Sequence, residues 1–354
     1  MNQLWDVIVI GGGQAGLASG YYLKKLNLQF LILEASSHAY GSWPHYYDSL
    51  KLFSPTSLSS LPGMKMQGRW SKYPYRNEVI QYLENYARKF ELPIRTQQKV
   101  TSIEKDQDFD IHTESGEVYK AKAIINATGS FNCPFMPSIN GTDVFQGEIL
   151  HSSEYRTPER FKDKRILVVG SGNSAVQIAV ELSAISHTSL AVLKPIKIVN
   201  QKRFGIDLHY WLRSTGLDAF QFWRLGKKTP TTSSVIDLGD YEVRLKGGNP
   251  GQRQMFTSFT RDGVLWPDST EEKVDTVIFA TGYRPELTHL KKTGAIGLDG
   301  KPLQRAGICE NVSGLYFIGL EGQRSFSSAT LRGVGPDSKY VVRHIRRYLQ
   351  VMRK

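Results

Sequence analysis

The chain has 354 residues, 40% of them hydrophobic, which suits two domains of ordinary size with real cores. No run approaches the ~18 apolar residues of a membrane span; the two cysteines, Cys133 and Cys309, form neither C-x-x-C nor a metal-ligand spacing, and the eight histidines make no H-E-x-x-H, so a disulfide scaffold and a structural or catalytic metal are not expected. The net charge of +12 suits anionic dinucleotides: its basic residues read as dispersed, apart from a tail of Arg343, Arg346, Arg347, Arg353 and Lys354, and no nucleic-acid motif accompanies them.

The chain enters its first strand by Asp6, so no leader is expected. The apolar run Val7–Ile10 predicts a strand ending directly in Gly11-Gly12-Gly13-Gln14-Ala15-Gly16. This is G-x-G-x-x-G at a strand-to-helix turn. Glycine permits the tight turn, a missing side chain lets backbone approach a pyrophosphate, and the helix behind offers free N–H groups and a partial positive charge. Ala15, Ala18, Tyr22 and Leu26 fall on one face of that helix. A second strand, Phe30–Leu33, ends in Glu34, 18 positions after Gly16, where a carboxylate accepts hydrogen bonds from an adenosine ribose. Residues 41–75, rich in Gly, Pro, Ser and aromatics, predict an irregular loop region. Asn77 is placed to cap a helix carrying Ile80, Leu83, Ala87 and Phe90. Residues 94–121 alternate like a small antiparallel meander, and 124–129 read as a buried strand ending in Ala127-Thr128-Gly129.

Ile166–Val169 leads into a second fingerprint, Gly170-Ser171-Gly172-Asn173-Ser174-Ala175, of the form G-x-G-x-x-A. Its helix shows Ala175, Ile178, Ala179, Leu182 and Ile185 at helical spacing, and the next strand, Ser189–Leu193, ends in Lys194. A cation there suits the 2′-phosphate of NADPH, where an acid rejects it; a solvated surface lysine is the equal alternative. One loop binds one dinucleotide, so two imply a flavin reduced by a nicotinamide coenzyme. Residues 203–260 show weak periodicity and support no element assignment. Residues 277–282 repeat the Ala-Thr-Gly ending at Ala280-Thr281-Gly282, and 315–319 read as another buried strand. The C-terminal helix carries Val341, Ile345, Tyr348 and Met352 on one side, its cations offsetting the helix dipole. The expected fold is α/β with two Rossmann-like dinucleotide-binding domains: an FAD-binding domain beginning in 1–155, an inserted NAD(P)H-binding domain in 156–282, and a return to the FAD domain in 283–354.

Between the fingerprints, Phe145-Gln146-Gly147-Glu148-Ile149-Leu150-His151-Ser152-Ser153-Glu154-Tyr155 matches F-x-G-x-x-x-H-x-x-x-Y. With it the chain resembles the flavin-containing monooxygenases along essentially its whole length. Tyr155 is followed by Arg156, unlike the Trp ending of the Baeyer–Villiger variant. Gly41-Ser42-Trp43, Ala127–Gly129 and Ala280–Tyr283 also resemble the family, and Tyr47–Pro55 is similar to a compact bacterial subgroup. The resemblance implies a cycle in which NADPH or NADH reduces FAD, reduced flavin takes up oxygen as a peroxyflavin, and a soft nucleophile (a sulfide or amine) or a ketone receives one oxygen atom. The cofactor carries the chemistry and the protein supplies position and dryness.

On this implication the cofactor sites draw on Gly11, Gly13, Gln14, Ala15, Gly16, Glu34, Ala35, Trp43, Thr128, Gly129, Gly170, Gly172, Asn173, Ser174, Lys194, Thr281, Gly282, Gly319 and Thr330. Trp43 and Phe53 wall the isoalloxazine, and His151 serves the linker between the nucleotide domains by hydrogen bonding rather than as an acid or base. One departure stands out: better-known members carry an asparagine after the Trp element, and here Phe53 stands nearest that place, which predicts imperfect coupling and peroxide release. The rival readings are an NAD(P)H oxidase or flavin reductase passing electrons to oxygen, a small acceptor or a protein, and a non-enzymatic nucleotide-sensing flavoprotein. A disulfide reductase lacks its C-x-x-C here, and the first glycine loop holds Gln14 and Ala15 where some thiol reductases place a cysteine. The expected partners are a small-molecule substrate and oxygen, with no nucleic acid and no membrane span; a homodimer is allowed, and the expected compartment is the cytoplasm.

Overall fold

The computed structural model describes residues 3–230 and 234–352; Arg353 and Lys354 of the basic tail lie outside the described residues. β1 (Leu4–Ile10) turns into α1 (Gln14–Lys25), and β2 (Phe30–Leu33) returns parallel to β1. After an irregular stretch holding two single-turn 3-10 helices, α2 (Arg76–Lys89) leads to β3 (Ile94–Arg95), parallel to β2. β4 (Val100–Lys105), β5 (Phe109–Thr113) and β6 (Val118–Asn126) form the antiparallel meander. β6 also pairs parallel with β1, Ile10 opposite Asn126.

β7 (Cys133–Pro134) precedes β8 (Glu148–His151), β9 (Arg165–Val169), α3 (Asn173–Leu182) and β10 (His187–Val192). Next come β11 (Ile198–Asn200), the hairpin of β12 (Lys202–Arg203) and β13 (Ile206–Asp207), α4 (Leu208–Ser214), β14 (Val235–Asp237), α5 (Tyr241–Lys246) and β15 (Gly251–Gln254). β16 (Ser258–Phe259), β17 (Gly263–Leu265) and β18 (Glu271–Lys273) make a small antiparallel sheet. β19 (Thr276–Phe279) is followed by β20 (Tyr283–Arg284), which pairs with β7. β21 (Gln304–Arg305), β22 (Ile308–Cys309) and β23 (Leu315–Phe317) return to the first sheet before the closing helix α6 (Leu331–Met352).

Among the described residues the first sheet runs β21-β22-β23-β6-β1-β2-β3, with β4 and β5 beside β6, and the second runs β15-β10-β9-β19-β8. The second sheet is parallel throughout. β8 pairs there, Phe279 opposite His151, although its residues fall within the sequence segment 1–155. Both faces of β1 are covered, which explains its unbroken apolar run: Val7 and Val9 pack with residues of α1 and α6, Ile8 and Ile10 with Ile103, Phe109 and Leu290. No helix of the described residues is long and apolar enough to cross a membrane.

Two helices differ from expectation. α2 begins one residue before Asn77, and its cap is Glu78, whose carboxylate accepts from Tyr75 N at 2.9 Å. Its buried face is Val79, Tyr82, Leu83 and Tyr86 rather than Ile80, Leu83, Ala87 and Phe90. The tyrosines turn the helix because their hydroxyls are satisfied inside: Tyr82 accepts from Leu61 N at 2.7 Å and donates to Met64 O at 2.6 Å, and Tyr86 donates to Pro62 O at 2.7 Å. On α6, Val341 and Ile345 are buried as expected, with Val342 and Leu349 beside them, while Met352 is exposed.

β6 ends in a buried polar contact. Asn126 Nδ2 donates to Thr128 Oγ1 at 3.1 Å, so Oδ1 is the acceptor for His289 Nε2 at 2.7 Å. Burial pushes His289 down to about 4 from its ordinary 6.5. The unfolded chain therefore binds this proton first: the contribution is complete above pH 6.5 and is lost as pH falls toward 4. Thermal melts should lose stability across that window, with His289 accounting for roughly 2–3 kcal/mol. His289→Gln should flatten that slope; an unchanged slope would remove His289 from the account.

Candidate functional site

The two glycine turns are built alike. Gly11 N donates to Leu33 O at 2.8 Å and Ala127 N to Ile10 O at 2.8 Å; Gly170 N donates to Ala191 O at 3.0 Å and Ala280 N to Val169 O at 2.8 Å. Gly11 has φ +102, and a Cβ there would lie 2.7 Å from Ala127 O. Gly170 has φ +142, and a Cβ would lie 2.4 Å from Ala280 O. The first glycine of each fingerprint thus packs on the alanine of an Ala-Thr-Gly ending. Gly16 closes the first turn against its strand, since a Cβ there would meet Gly11 O at 1.9 Å.

α1 and α3 start directly after Gly13 and Gly172, and neither start has a side-chain cap. Their first-turn N–H groups are left for a ligand, and the helix dipole favours an anion. Gln14 Nε2 donates to Ala329 O at 2.6 Å, while its Oε1 is buried without a partner. A Cβ on Gly172 would meet nothing within 4 Å, so that turn has room before it. Both turns border one cleft of about 1490 Å³. Two uncapped helix starts on one cleft fit two dinucleotide pyrophosphates.

Gly11, Gly13, Gln14, Ala15, Glu34, Ala35, Trp43, Phe53, Thr128, Gly129, Gly172, Asn173, Ser174, Gly282, Gly319 and Thr330 line this cleft; Gly16, Gly170, Lys194, Thr281 and His151 do not. Gly16 and Gly170 pack behind their turns, and the Thr281 hydroxyl donates to Phe135 O. Lys194 stands exposed two residues beyond the end of β10. Glu34 is buried, with Oε2 accepting from Gly12 N at 2.6 Å and Oε1 from Ser36 N at 2.9 Å and Ser36 Oγ at 2.8 Å. It braces the glycine turn and keeps one further acceptor direction.

His151 lies just behind the cleft wall. Ser153 N donates to Nδ1 at 3.1 Å, so Nε2 carries the proton and donates to Gly282 O at 3.0 Å. Its ring meets Tyr283 edge-on at 4.9 Å, and burial pushes its pKa down. A neutral, fixed imidazole suits linkage rather than proton transfer.

Tyr46 and His209, which the sequence did not point to, also line the cleft beside the expected Trp43 and Phe53. Trp43 and Tyr46 stand edge to face at 5.6 Å, as do Tyr46 and Tyr283 at 6.5 Å. Phe53 stacks on His209 at 5.7 Å, and its carbonyl accepts from Gln201 Nε2 at 2.8 Å. Asp207 Oδ1 takes His209 N at 2.8 Å and Nδ1 at 2.9 Å, while Oδ2 takes the Tyr73 hydroxyl at 2.5 Å. Burial pushes Asp207 up, but hydrogen bonds from His209, Tyr73 and Gln201 outweigh it and hold the carboxyl below its ordinary range. Asp-Leu-His in a stretch of weak periodicity carried no signal of this dyad. Among the described residues no three His, Cys, Asp or Glu side chains gather as metal ligands.

Residues 8–233 match the pyridine nucleotide-disulphide oxidoreductase family. An uncharacterized CzcO-like oxidoreductase of Geobacillus kaustophilus is 35% identical over 98% of this chain and 99% of its own length. The probable indole-3-pyruvate monooxygenase YUCCA9 of Arabidopsis thaliana is 27% identical over 96% of this chain and 88% of its own. The structure of a flavin-containing monooxygenase from Stenotrophomonas maltophilia, 30% identical, matches with a TM-score of 0.86 over 99% of this chain and 100% of its own.

The two turns can be tested separately. A Cβ on Gly13 would lie 3.3 Å from Gly41 Cα, so Gly13→Val should fill the narrow gap and yield flavin-free protein. Gly172→Val should leave the flavin spectrum intact and slow reduction by coenzyme at least about tenfold. Full flavin occupancy in the first variant, or wild-type reduction in the second, would sink the assignment of that turn.

Proposed function

Because the chain belongs to the pyridine nucleotide-disulphide oxidoreductase family and to the flavin-containing monooxygenases, we propose that its cleft holds FAD at the Gly11 turn and NAD(P)H at the Gly172 turn, and oxygenates a sulfide, an amine or a ketone. It is an oxidoreductase whose cofactors are FAD and a nicotinamide coenzyme. The observation that carries the reading is a single cleft bordered by both turns. Neither Cys133 nor Cys309 lines it, so a disulfide-reducing reaction finds no thiol there. In chain terms, the sheet of β1 and β6 with the C-terminal return is the proposed flavin domain, and the sheet of β8–β10, β15 and β19 the proposed coenzyme domain.

Bound flavin supplies hydride acceptance and oxygen activation. The protein's part is positional. The α1 and α3 starts hold the two pyrophosphates, Glu34 offers its remaining acceptor direction to a ribose, and Trp43, Tyr46 and Phe53 form an apolar wall that excludes water. His151 fixes Gly282 and Tyr283 at the cleft edge. Phe53 stands nearest the place where the resemblance implies an amide in better-known members; its side chain offers no donor to the wall, and peroxide release is the proposed consequence.

The test is anaerobic reduction by NADPH followed by rapid mixing with oxygen. A transient absorbance unlike oxidised or reduced flavin, with sulfoxide formed from an added sulfide and measurable hydrogen peroxide beside it, is the expected result. Peroxide alone would make the chain an oxidase. Stoichiometric sulfoxide without peroxide would refute the role given to Phe53.

Coenzyme choice should be weakly enforced. Lys194 is exposed and offers a point charge, without the planar fork of an arginine. One such contact is worth about 1–2 kcal/mol, or roughly a tenfold preference for NADPH. Lys194→Ala should erode that preference and leave NADH use nearly unchanged. Equal loss with both coenzymes would place Lys194 away from the 2′-phosphate.

A further inference from the structure

The net charge is not dispersed. Residues 49–77 and 194–236 carry thirteen lysines and arginines against two carboxylates, eleven of the twelve net positive charges. Both carboxylates are buried and committed, Asp207 to His209 and Asp218 to Arg332. Just outside these segments, Asp48 pairs with Arg76 and Glu78 with Lys72. Lys202, Arg203 and Arg213 are exposed and have no carboxylate partner among the described residues. Both segments contribute to the cleft wall, through Leu52 and Phe53 on one side and Val199, Leu208 and Leu212 on the other.

The same surface exposes large apolar side chains. Phe204 is 86% and Trp70 67% exposed, and Ile206 and Trp211 are exposed as well. They form one neighbourhood. Phe204 sits on the tip that joins β12 to β13 and Ile206 opens β13, Trp211 Nε1 donates to Arg203 O at 3.3 Å, and the Trp70 ring lies 5.9 Å from that of Tyr210. Phe204 has φ +52, in the left-handed region that bulky side chains rarely occupy. A bulky aromatic in that conformation, pointed at solvent, contributes nothing to the core. Flanked by Lys202 and Arg203, it has the composition of an interfacial anchor: rings and aliphatic groups enter the boundary between headgroups and acyl chains, and cations meet anionic headgroups.

We propose that this face, the 203–206 tip with Trp211 and Trp70, docks peripherally on an anionic lipid bilayer. Nucleic acid would use the cations but has no use for Ile206. Docking there brings the cleft wall formed by Val199, Leu208 and Leu212 close to the bilayer surface. An apolar substrate then reaches the cleft from the lipid; that consequence rests on the proposed monooxygenase reading, whereas the docking does not.

The experiment pellets flavin-loaded protein with vesicles of phosphatidylglycerol and phosphatidylcholine in equal parts, or of phosphatidylcholine alone, at low and high salt. The proposal expects pelleting with the anionic vesicles, weakened by salt, and at least about tenfold weaker binding to the neutral ones. Phe204→Ser and Arg203→Glu should each lower vesicle binding by roughly tenfold. Both should keep the wild-type flavin spectrum and rate of reduction by NADPH in vesicle-free buffer, which shows that they fold. No pelleting with anionic vesicles at low salt overturns the proposal, as does equal binding to both vesicle types or wild-type binding by Phe204→Ser. Self-association abolished by Phe204→Ser, without vesicle binding, assigns the face to a second copy and also overturns it. Failure of the wild-type flavin to be reduced by NADPH would strike the monooxygenase reading and leave the pelleting result standing.

Discussion

The site depends on one steric condition that occurs twice. An alanine carbonyl at the end of one parallel strand occupies the space that a Cβ would need on the first fingerprint glycine of the neighbouring strand: Ala127 O at 2.7 Å for Gly11, Ala280 O at 2.4 Å for Gly170. Because no side chain intrudes, strand and strand end register together, and the chain turns at once into a helix whose start is uncapped. An uncapped start facing a cleft is unfavourable for the empty fold, since its N–H groups lack partners. It becomes favourable when an anion arrives. Ligand affinity at both turns is therefore prepared by backbone geometry, and the surrounding side chains mainly shape and dry the space.

Two buried histidines at the strand ends agree with that division of labour. His151 and His289 are both buried and held neutral, each donating through Nε2 to a fixed oxygen, Gly282 O and Asn126 Oδ1. A second proton on His151 would meet the Ser153 N–H already pointed at Nδ1. These rings act as rigid hydrogen-bond posts at the ends of β8 and β6. The Asp207–His209 pair differs. Asp207 is held ionised by its donors, and the His209 ring lines the cleft.

Both fingerprints, their helices and the terminal acid could be read from sequence because each is a local pattern whose physics is complete within about thirty residues. The face of α2 could not. Two stripes overlap on it at Leu83, and the choice fell to Tyr82 and Tyr86, whose hydroxyls find backbone partners at Leu61, Met64 and Pro62. Nothing in the helix itself encodes those partners. The membership of β8 in the second sheet was hidden for the same reason: four residues pair with β19, which lies more than 120 residues later. Residues 203–260 fold around contacts such as the Tyr73 hydroxyl to Asp207 and Thr229 to Gly322 O, so their short elements leave little periodicity to detect.

The linker motif that distinguishes this chain from a plain pair of nucleotide folds has a structural explanation for each of its residues. A Cβ on Gly147 would lie 2.3 Å from the Phe145 ring and 2.8 Å from Asp275 O, so Phe145 and Gly147 are one packing unit against the end of β19. His151 holds Gly282 O, and the Tyr155 hydroxyl donates to Glu181 on α3 at 2.6 Å. The motif thus clasps the second sheet and its fingerprint helix, while Ser152 and Ser153 within it reach the cleft wall. Beside it the two crossings between the sheets are bound to each other. β7 pairs with β20, Phe135 N donates to Gly282 O at 3.0 Å, Glu286 N donates to Asn132 Oδ1 at 2.9 Å, and Arg284 lies 3.9 Å above the Phe135 ring. Gly129 and Gly282, both with positive φ and open space around a Cβ, begin these crossings and let the chain bend there. The crossings that join the two glycine turns are thus tied to each other by backbone pairing and side-chain contacts. A motif with no reacting group in it can therefore still decide whether two dinucleotides meet.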